Sequence, residues 1–282
     1  LGLLYSAFTY YCGFKVNSGE YKLMGLAPYG NPIYSNLIKE KLIDIKDDGS
    51  FRLDMSYFKY HRGFKMTSNK FHELFKCDPR LSNQPVEEFH MDLAASIQEV
   101  TEEIVLKIAR NIKKETGLSK LCLSGGVALN CVANGKLLKE KIFKDIWIQP
   151  ASGDAGSSIG SALIAYYDYF DNIRNVDKSD SMRGSFLGPS FTNNEIISYL
   201  KSIKATFRTL DDSVLFDEIA RLIDQGNVIG WFNGSMEFGP RALCNRSVIV
   251  GTADKKINDW LNKRLSRTEF MPFAPVIRKE VA

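Results

Sequence analysis

Apolar residues recur at three- and four-residue steps from Val86 through Phe89, Leu93, Ile97, Val100, Ile104, Ile108 and Ile112. A stripe of that period fits one face of an α-helix and no strand, so it commits this stretch to a single helix of roughly eight turns. Pro85 suits its first turn and Gly117 the cap that ends it. LCLS then reads as a short strand running into Gly125-Gly126, ALNCVANGKLLKE as a helix, and FKDIWIQP as a second strand. The loop PASGDAGSSIG leads into the helix SALIAYYDYF. Helix, strand, glycine loop, helix, strand, glycine loop, helix is the order of an α/β layered fold.

Residues 171 to 184, DNIRNVDKSDSMRG, are polar and charged without apolar period and read as a linker. A second alternating unit follows. TNNEIISYLKSI starts with Thr192 and carries Glu195 three places on, a capping box. TFRTL reads as a strand, DSVLFDEIARLIDQG as a helix, NVIGWFNG and SVIVG as strands, and DKKINDWLNKRL as a helix before FMPFAPVIR. The segment from Gly49 to Gln84 has no interpretable period, and no repeat or low-complexity tract is evident.

The 282 residues suffice for one large domain or two ordinary ones. A formal charge of +4 does not suggest a nucleic-acid partner, which calls for basic clusters along one face. No apolar run reaches the ~18 residues of a membrane-spanning helix. Cys12, Cys77, Cys122, Cys131 and Cys244 are scattered and never pair as C-x-x-C, which reads as reduced thiols in the cytoplasm. Cys122, in an apolar run, is expected in the core. The chain opens at Leu1 inside an apolar stretch and closes on VIRKEVA, so a fragment of a longer protein is expected.

Three loops could carry chemistry. In LSGGVALN, a strand gives way through Gly125 and Gly126 to a helix start, flanked by Ser124 and Asn130. That arrangement suits an anion or nucleotide, or serves only as a tight strand-to-helix turn. In the second loop Asp154 lies between Gly153 and Gly156, either capping the next helix or holding a divalent metal. In GSMEFGPRALCNRS, Arg241 and Arg246 lie beside Asn245 and Ser247. Arginine forks match phosphate oxygens, and the alternative use is an ion pair with Glu237. Lys263, Arg264, Arg267 and Arg278 add positive charge further on.

These segments together resemble a known family. GEYKLMGLAPYG, LSGGVALNCVANGKL, QPASGDAGSSIG, FLGPSFTNNEI and GWFNGSMEFGPRALCNRS look like the carbamoyltransferases of nodulation and antibiotic tailoring, in the same order and over nearly the whole chain. The resemblance implies an α/β protein: the second lobe of an actin/sugar-kinase-like domain over residues 1–170, the linker 171–184, and a YrdC-like α/β domain over 185–282 that lacks its last elements. It implies an ATP-dependent O-carbamoyltransferase. Carbamoyl phosphate and ATP would give carbamoyl-adenylate and pyrophosphate in the YrdC-like part. The kinase-like part, with a divalent metal such as iron or magnesium, would pass the carbamoyl group to a hydroxyl of a sugar or natural product.

Residue by residue, the resemblance implies a metal ligand at Asp154 and nucleotide contacts at Ser124, Gly125, Gly126, Asn130 and Gly153. Arg241 and Arg246 would be catalytic, with Asn245 and Ser247 beside the carbamoyl phosphate and ATP. Glu20 would meet ribose hydroxyls, with Lys22 toward the nucleotide or simply a surface charge. The glycines of GEYKLMGLAPYG would clear space while LMGLA packs.

Two departures stand out. The family's metal site also takes a histidine pair, and His61, His72 and His90 form none, so the remaining metal ligands are expected outside this chain. His90, near the start of the long helix, is expected to be partly exposed. Cys244 stands where the family pattern has glycine, which would strain the loop if that position needs positive φ. A kinase or ATPase on the same fold, and a non-catalytic nucleotide-binding module, are the competing readings. Small-molecule acceptors, no nucleic acid and no membrane are the expected partners; exposed cleft surface in a fragment would favour a homodimer.

Overall fold

The computed structural model describes residues 1–176, 179–254, 256–265 and 273–281. The chain packs as two compact units, Leu1–Gly153 and Asp154–Ala282.

The first unit is assembled on the long helix. Its N-terminal part supplies α1 (Gly2–Tyr11), α2 (Glu20–Leu26), α3 (Ser35–Lys41), the antiparallel hairpin β1 (Ile43–Ile45) and β2 (Phe51–Leu53), and α4 (Asn69–Phe75). The helix anticipated from the apolar stripe is α5, Glu88–Thr116. It starts later than Pro85, because Glu87 takes the N-cap. The Glu87 carboxylate accepts from the His90 backbone N–H, and His90 Nδ1 accepts from the Glu87 N–H at 3.1 Å. That reciprocal cap holds His90 at 5 % exposure, which corrects the partly exposed histidine expected from sequence. The helix ends where Gly117 turns left-handed at φ 66°.

Residues 92–98 of α5 are buried on every side. Such a helix cannot carry its polar side chains without partners. Asp92 Oδ1 accepts from the Asn31 N–H at 2.7 Å, and Ser96 Oγ from the Tyr34 N–H at 3.0 Å. Phe8, Tyr11, Phe71 and Phe75 form an aromatic cluster beside α1 and α4, with Tyr11–Phe71 and Phe71–Phe75 centroids both 4.9 Å apart. Tyr34 and Phe89 extend it to α5.

After α5 come β3 (Lys120–Leu123), α6 (Cys131–Lys139) and β4 (Asp145–Ile148), a strand–helix–strand crossover whose strands pair in parallel from Lys120↔Asp145 to Leu123↔Ile148. Ala109 of α5, Leu137 of α6 and Phe143 form its core, with Leu121, Leu123 and Ile146 packed against them. Alternation along the strands sends Cys122 and Trp147 to the opposite, exposed face. Cys122 is therefore not the core residue expected; Cys12, the C-cap of α1, is the buried thiol.

In the second unit α7 (Asp154–Ile164) begins inside the second glycine loop, so GSSIG is already helical. The capping box of α8 (Asn193–Ser202) forms as read, with Thr192 and Glu195 in both hydrogen bonds. α9 (Asp212–Asp224) is followed by the antiparallel pair β5 (Ile229–Phe232) and β6 (Arg246–Ile249), then α10 (Ile257–Arg264). TFRTL has no strand partner and forms no strand, which corrects that expectation. Arg267 lies outside the described residues. No helix among the described residues is long and apolar enough to cross a membrane.

Candidate functional site

The loop between β3 and α6 is a platform of exposed backbone. Ser124, Gly125 and Gly126 are all exposed. Gly125 takes φ 97°, a conformation that favours glycine, and its N–H donates to the Ser152 carbonyl at 2.8 Å. That bond ties the loop after β3 to the loop after β4. A Cβ built on Gly125, Gly126 or Gly153 would meet nothing within 4 Å, so the space over all three is open to a ligand.

Asn130 ends the platform and is buried beneath it. Its Oδ1 caps α6 by accepting from the Ala133 N–H at 3.0 Å and also accepts from Gln98 Nε2 at 3.1 Å. Its Nδ2 donates back to Gln98 Oε1 at 2.9 Å. Gln98 in turn accepts from Tyr5 Oη at 2.9 Å and donates to Glu102 Oε1 at 2.8 Å, while Glu102 pairs with Lys136 on α6. With both polar atoms of its amide engaged, Asn130 fixes the loop against α5, and Ser124 and the glycine backbone are what the loop leaves exposed. Sequence reading passed over Gln98, although a glutamine among apolar neighbours in a buried helix was the available sign.

Asp154 is exposed on the first turn of α7, where a carboxylate complements the helix dipole. Among the described residues no group of three or more His, Cys, Asp or Glu side chains could hold a metal ion. Asp154 by itself is not a metal site.

Glu20 opens α2 half-buried, its Oε1 accepting from Ser6 Oγ at 2.7 Å and from the Asn17 N–H at 2.9 Å. Lys22 is half-exposed one residue beyond Tyr21. Gly19 and Gly30 do not clear space for a ligand. A Cβ on Gly30 would sit 2.1 Å from the Met91 backbone carbon, and one on Gly19 2.7 Å from the Lys15 carbonyl. What approaches Gly30 is helix α5.

In the arginine loop Glu237 is the organiser, buried at 4 % exposure. Its Oε1 accepts from the Asn245 N–H at 2.8 Å and from the Leu243 N–H, and Arg246 Nε lies 3.3 Å from Oε2. Burial works to raise the carboxyl pKa, but the amides of Asn245 and Leu243 and the Arg246 charge prevail and hold it below its ordinary value. Arg246 also donates to the Gly239 carbonyl at 2.8 Å and to the Arg241 carbonyl at 3.3 Å. The ion pair weighed from sequence therefore exists for Arg246, in a buried rather than a surface setting. Arg241 is exposed on the same loop. Asn245 Nδ2 donates to the Ser235 carbonyl at 2.8 Å, and Ser247 Oγ accepts from the Cys244 N–H at 3.1 Å. Cys244 has φ 76°, the strained conformation foreseen for a residue in a glycine position.

Residues 1–163 match the family described as Carbamoyltransferase N-terminus, and residues 220–282 the one described as Carbamoyltransferase C-terminus. The chain belongs to the carbamoyltransferase family.

This carbamoyltransferase chain is 54% identical over 99% of its length to the uncharacterized protein sll1178 of Synechocystis sp., covering 46% of that protein. It is 35% identical over 100% of its length to nodulation protein NolNO of Sinorhizobium fredii, covering 39% of it. A 3'-hydroxymethylcephem-O-carbamoyltransferase of Amycolatopsis lactamdurans is 31% identical over 72% of the chain, which covers 36% of that enzyme. The chain thus spans less than half the length of each of these relatives. The glycine platform and Asp154 lie in the N-terminal carbamoyltransferase match, and the arginine loop lies in the C-terminal one.

Proposed function

We propose that this chain is part of an ATP-dependent O-carbamoyltransferase that activates carbamoyl phosphate as carbamoyl-adenylate and delivers the carbamoyl group to a hydroxyl of a sugar or natural product. The single observation that carries the nucleotide half of this reading is the open face over Gly125, Gly126 and Gly153, held in shape from below by the Gln98–Asn130 amide pair. A phosphate or ribose can approach backbone there without meeting a side chain.

The chemistry runs in balanced steps. Water takes the phosphoryl group of carbamoyl phosphate, releasing inorganic phosphate and carbamate. A carbamate oxygen attacks the α-phosphorus of ATP, and pyrophosphate leaves. The acceptor hydroxyl then attacks the carbamoyl carbon, loses its proton, and AMP departs. Adenylation gives the carbamoyl carbon a good leaving group, so positioning and charge neutralisation supply the rest. In this reading Arg241, exposed on its loop, meets phosphate oxygens. Arg246, held by Glu237, shapes the loop that presents it. A divalent metal in the family's kinase-like domain would act as a Lewis acid, and the described residues offer Asp154 alone toward it, so no step is assigned to a metal here.

The test is pyrophosphate release from ATP with and without carbamoyl phosphate, on the natural full-length protein and its Arg241→Ala variant. Release that requires carbamoyl phosphate and falls at least a hundredfold in the variant supports the assignment. Phosphate release indifferent to carbamoyl phosphate points instead to a kinase or ATPase.

A further inference from the structure

The segment from Met55 to Ser68 is built and cationic, and the chemistry above makes no use of it. It folds back on itself: Phe58 bridges Thr67 in antiparallel fashion, the Lys59 N–H donates to the Met66 carbonyl at 3.0 Å, and the Arg62 N–H donates to the Lys59 carbonyl at 2.9 Å. Phe58, 2 % exposed, pins the base of this loop to Phe71, with ring centroids 6.0 Å apart. The fold-back borders an open concavity of about 700 Å³, with Lys59, Arg62 and Lys65 on its wall and Met55, Phe58 and Phe64 supplying apolar surface. That volume lies in the range of small-molecule sites.

The charges in it are uncompensated. No carboxylate lines the concavity, and none of Lys59, Arg62 and Lys65 makes an ion pair among the described residues. Nearby Lys70, by contrast, is paired with Asp54 at 3.4 Å. The unbalanced field reaches a neighbour: His72 has its pKa lowered first by burial, against an opposing pull from Asp78, and further by Lys65 and Lys59. Phe64 stands fully exposed between Arg62 and Lys65. Three cations beside an aromatic face call for a ligand that is anionic at one end and flat or apolar at the other. A concave wall suits a small ligand better than a planar bilayer or an extended strand.

We infer that the Met55–Ser68 concavity is a binding site for an organic phosphate of the sugar-nucleotide class, its phosphates held by Lys59, Arg62 and Lys65 and its base laid against Phe64. This site is separate from the glycine platform, and the inference does not depend on the carbamoyl-transfer reading.

Calorimetric titration of the chain with UDP-glucose, beside uridine and inorganic pyrophosphate, tests it. The expected result is binding of UDP-glucose that weakens several-fold from 50 to 300 mM NaCl, weaker binding of pyrophosphate and none of uridine. The triple variant Lys59→Ala/Arg62→Ala/Lys65→Ala should lose at least tenfold and Phe64→Ala about threefold, with the circular dichroism spectrum unchanged. Arg62→Gln, a milder change at an exposed site, should lose several-fold should the triple variant misfold. A Gly125→Val change, which fills the glycine platform, should leave this binding intact while abolishing pyrophosphate release, so the two readings fail separately. UDP-glucose binding that ignores the cation variants overturns the inference. So does its absence, or capture by phosphatidylserine vesicles alone through the same residues, which would make the loop a membrane-contact element.

Discussion

At the scale of single residues, the arginine loop shows how a side chain can be legible and still be misjudged. The sequence placed Cys244 where the family carries glycine, and the backbone there is left-handed, so the anticipated strain is real. Cys244→Gly should raise stability by about 1 kcal/mol, read as a higher urea midpoint, while Cys244→Ala should give no such gain. Arg246 was visible as a phosphate ligand or an ion-pair partner, and the structure shows the ion pair, made with a buried Glu237 that sequence could not place. Asn130 and Gln98 pose the same difficulty. An asparagine at a helix start is easy to see, but a glutamine reaching it from another helix, thirty-two positions away in sequence, leaves no local trace. Gln98→Leu keeps the volume and strands the Asn130 amide, which should destabilise the chain by about 2 kcal/mol in urea unfolding. A double-mutant cycle with Asn130→Ala should return a coupling energy above about 1 kcal/mol.

At the scale of elements, long periodic segments declared themselves, and short strands such as LCLS and NVIGWFNG formed where a partner strand lay beside them. α5, α8 and α9 fall where their apolar period puts them, because many residues vote for the same face, although the start of α5 moved from Pro85 to the Glu87 cap. TFRTL failed because β-propensity is a preference for a pleated neighbour, and none is present. Gly19 and Gly30 of GEYKLMGLAPYG were misread for a related reason: sequence shows that something comes close to Gly30 but not whether it is a ligand or helix α5. Gly30→Ala would drive a methyl into the Met91 backbone and should destabilise the chain by about 1–3 kcal/mol, lowering its thermal midpoint. The cap of α5 also carries a pH dependence. His90 has its pKa lowered, first by burial and then by Arg80, and that of His72 is lowered as well. A depressed imidazole pKa means the unfolded chain takes the proton more readily. The stabilisation is therefore complete above the ordinary value of about 6.5 and is lost as pH falls below it. Thermal midpoints measured from pH 7.5 down to 5 should fall. His90→Gln, which preserves a capping-box side chain without a titrating group, should flatten the slope.

At the scale of the whole molecule, the two units differ in how much they bury. The first has a continuous core threaded by α5, whereas α7, α8 and α9 of the second contain no buried residue. Val214, Phe216, Ile196 and Tyr199 all stay exposed on α8 and α9. Amide hydrogen exchange should therefore be slowest at Leu93–Ile104 and fast throughout α8 and α9, a contrast that mass spectrometry on peptic peptides would resolve. The break in period at residues 171–184 does not coincide with the division between the compact units, which falls at Gly153 and Asp154 and puts α7 in the second. The depth of each core was not legible either, because amphipathic helices look alike whether or not anything covers them. The open face of the β3–β4 pair has a practical consequence. Cys122 and Trp147 stand in register on adjacent strands, both exposed, beside the platform where β3 ends. A dye attached to that thiol would accept light energy from the indole next to it, so the protein already carries a fluorescence gauge for events on its glycine loop.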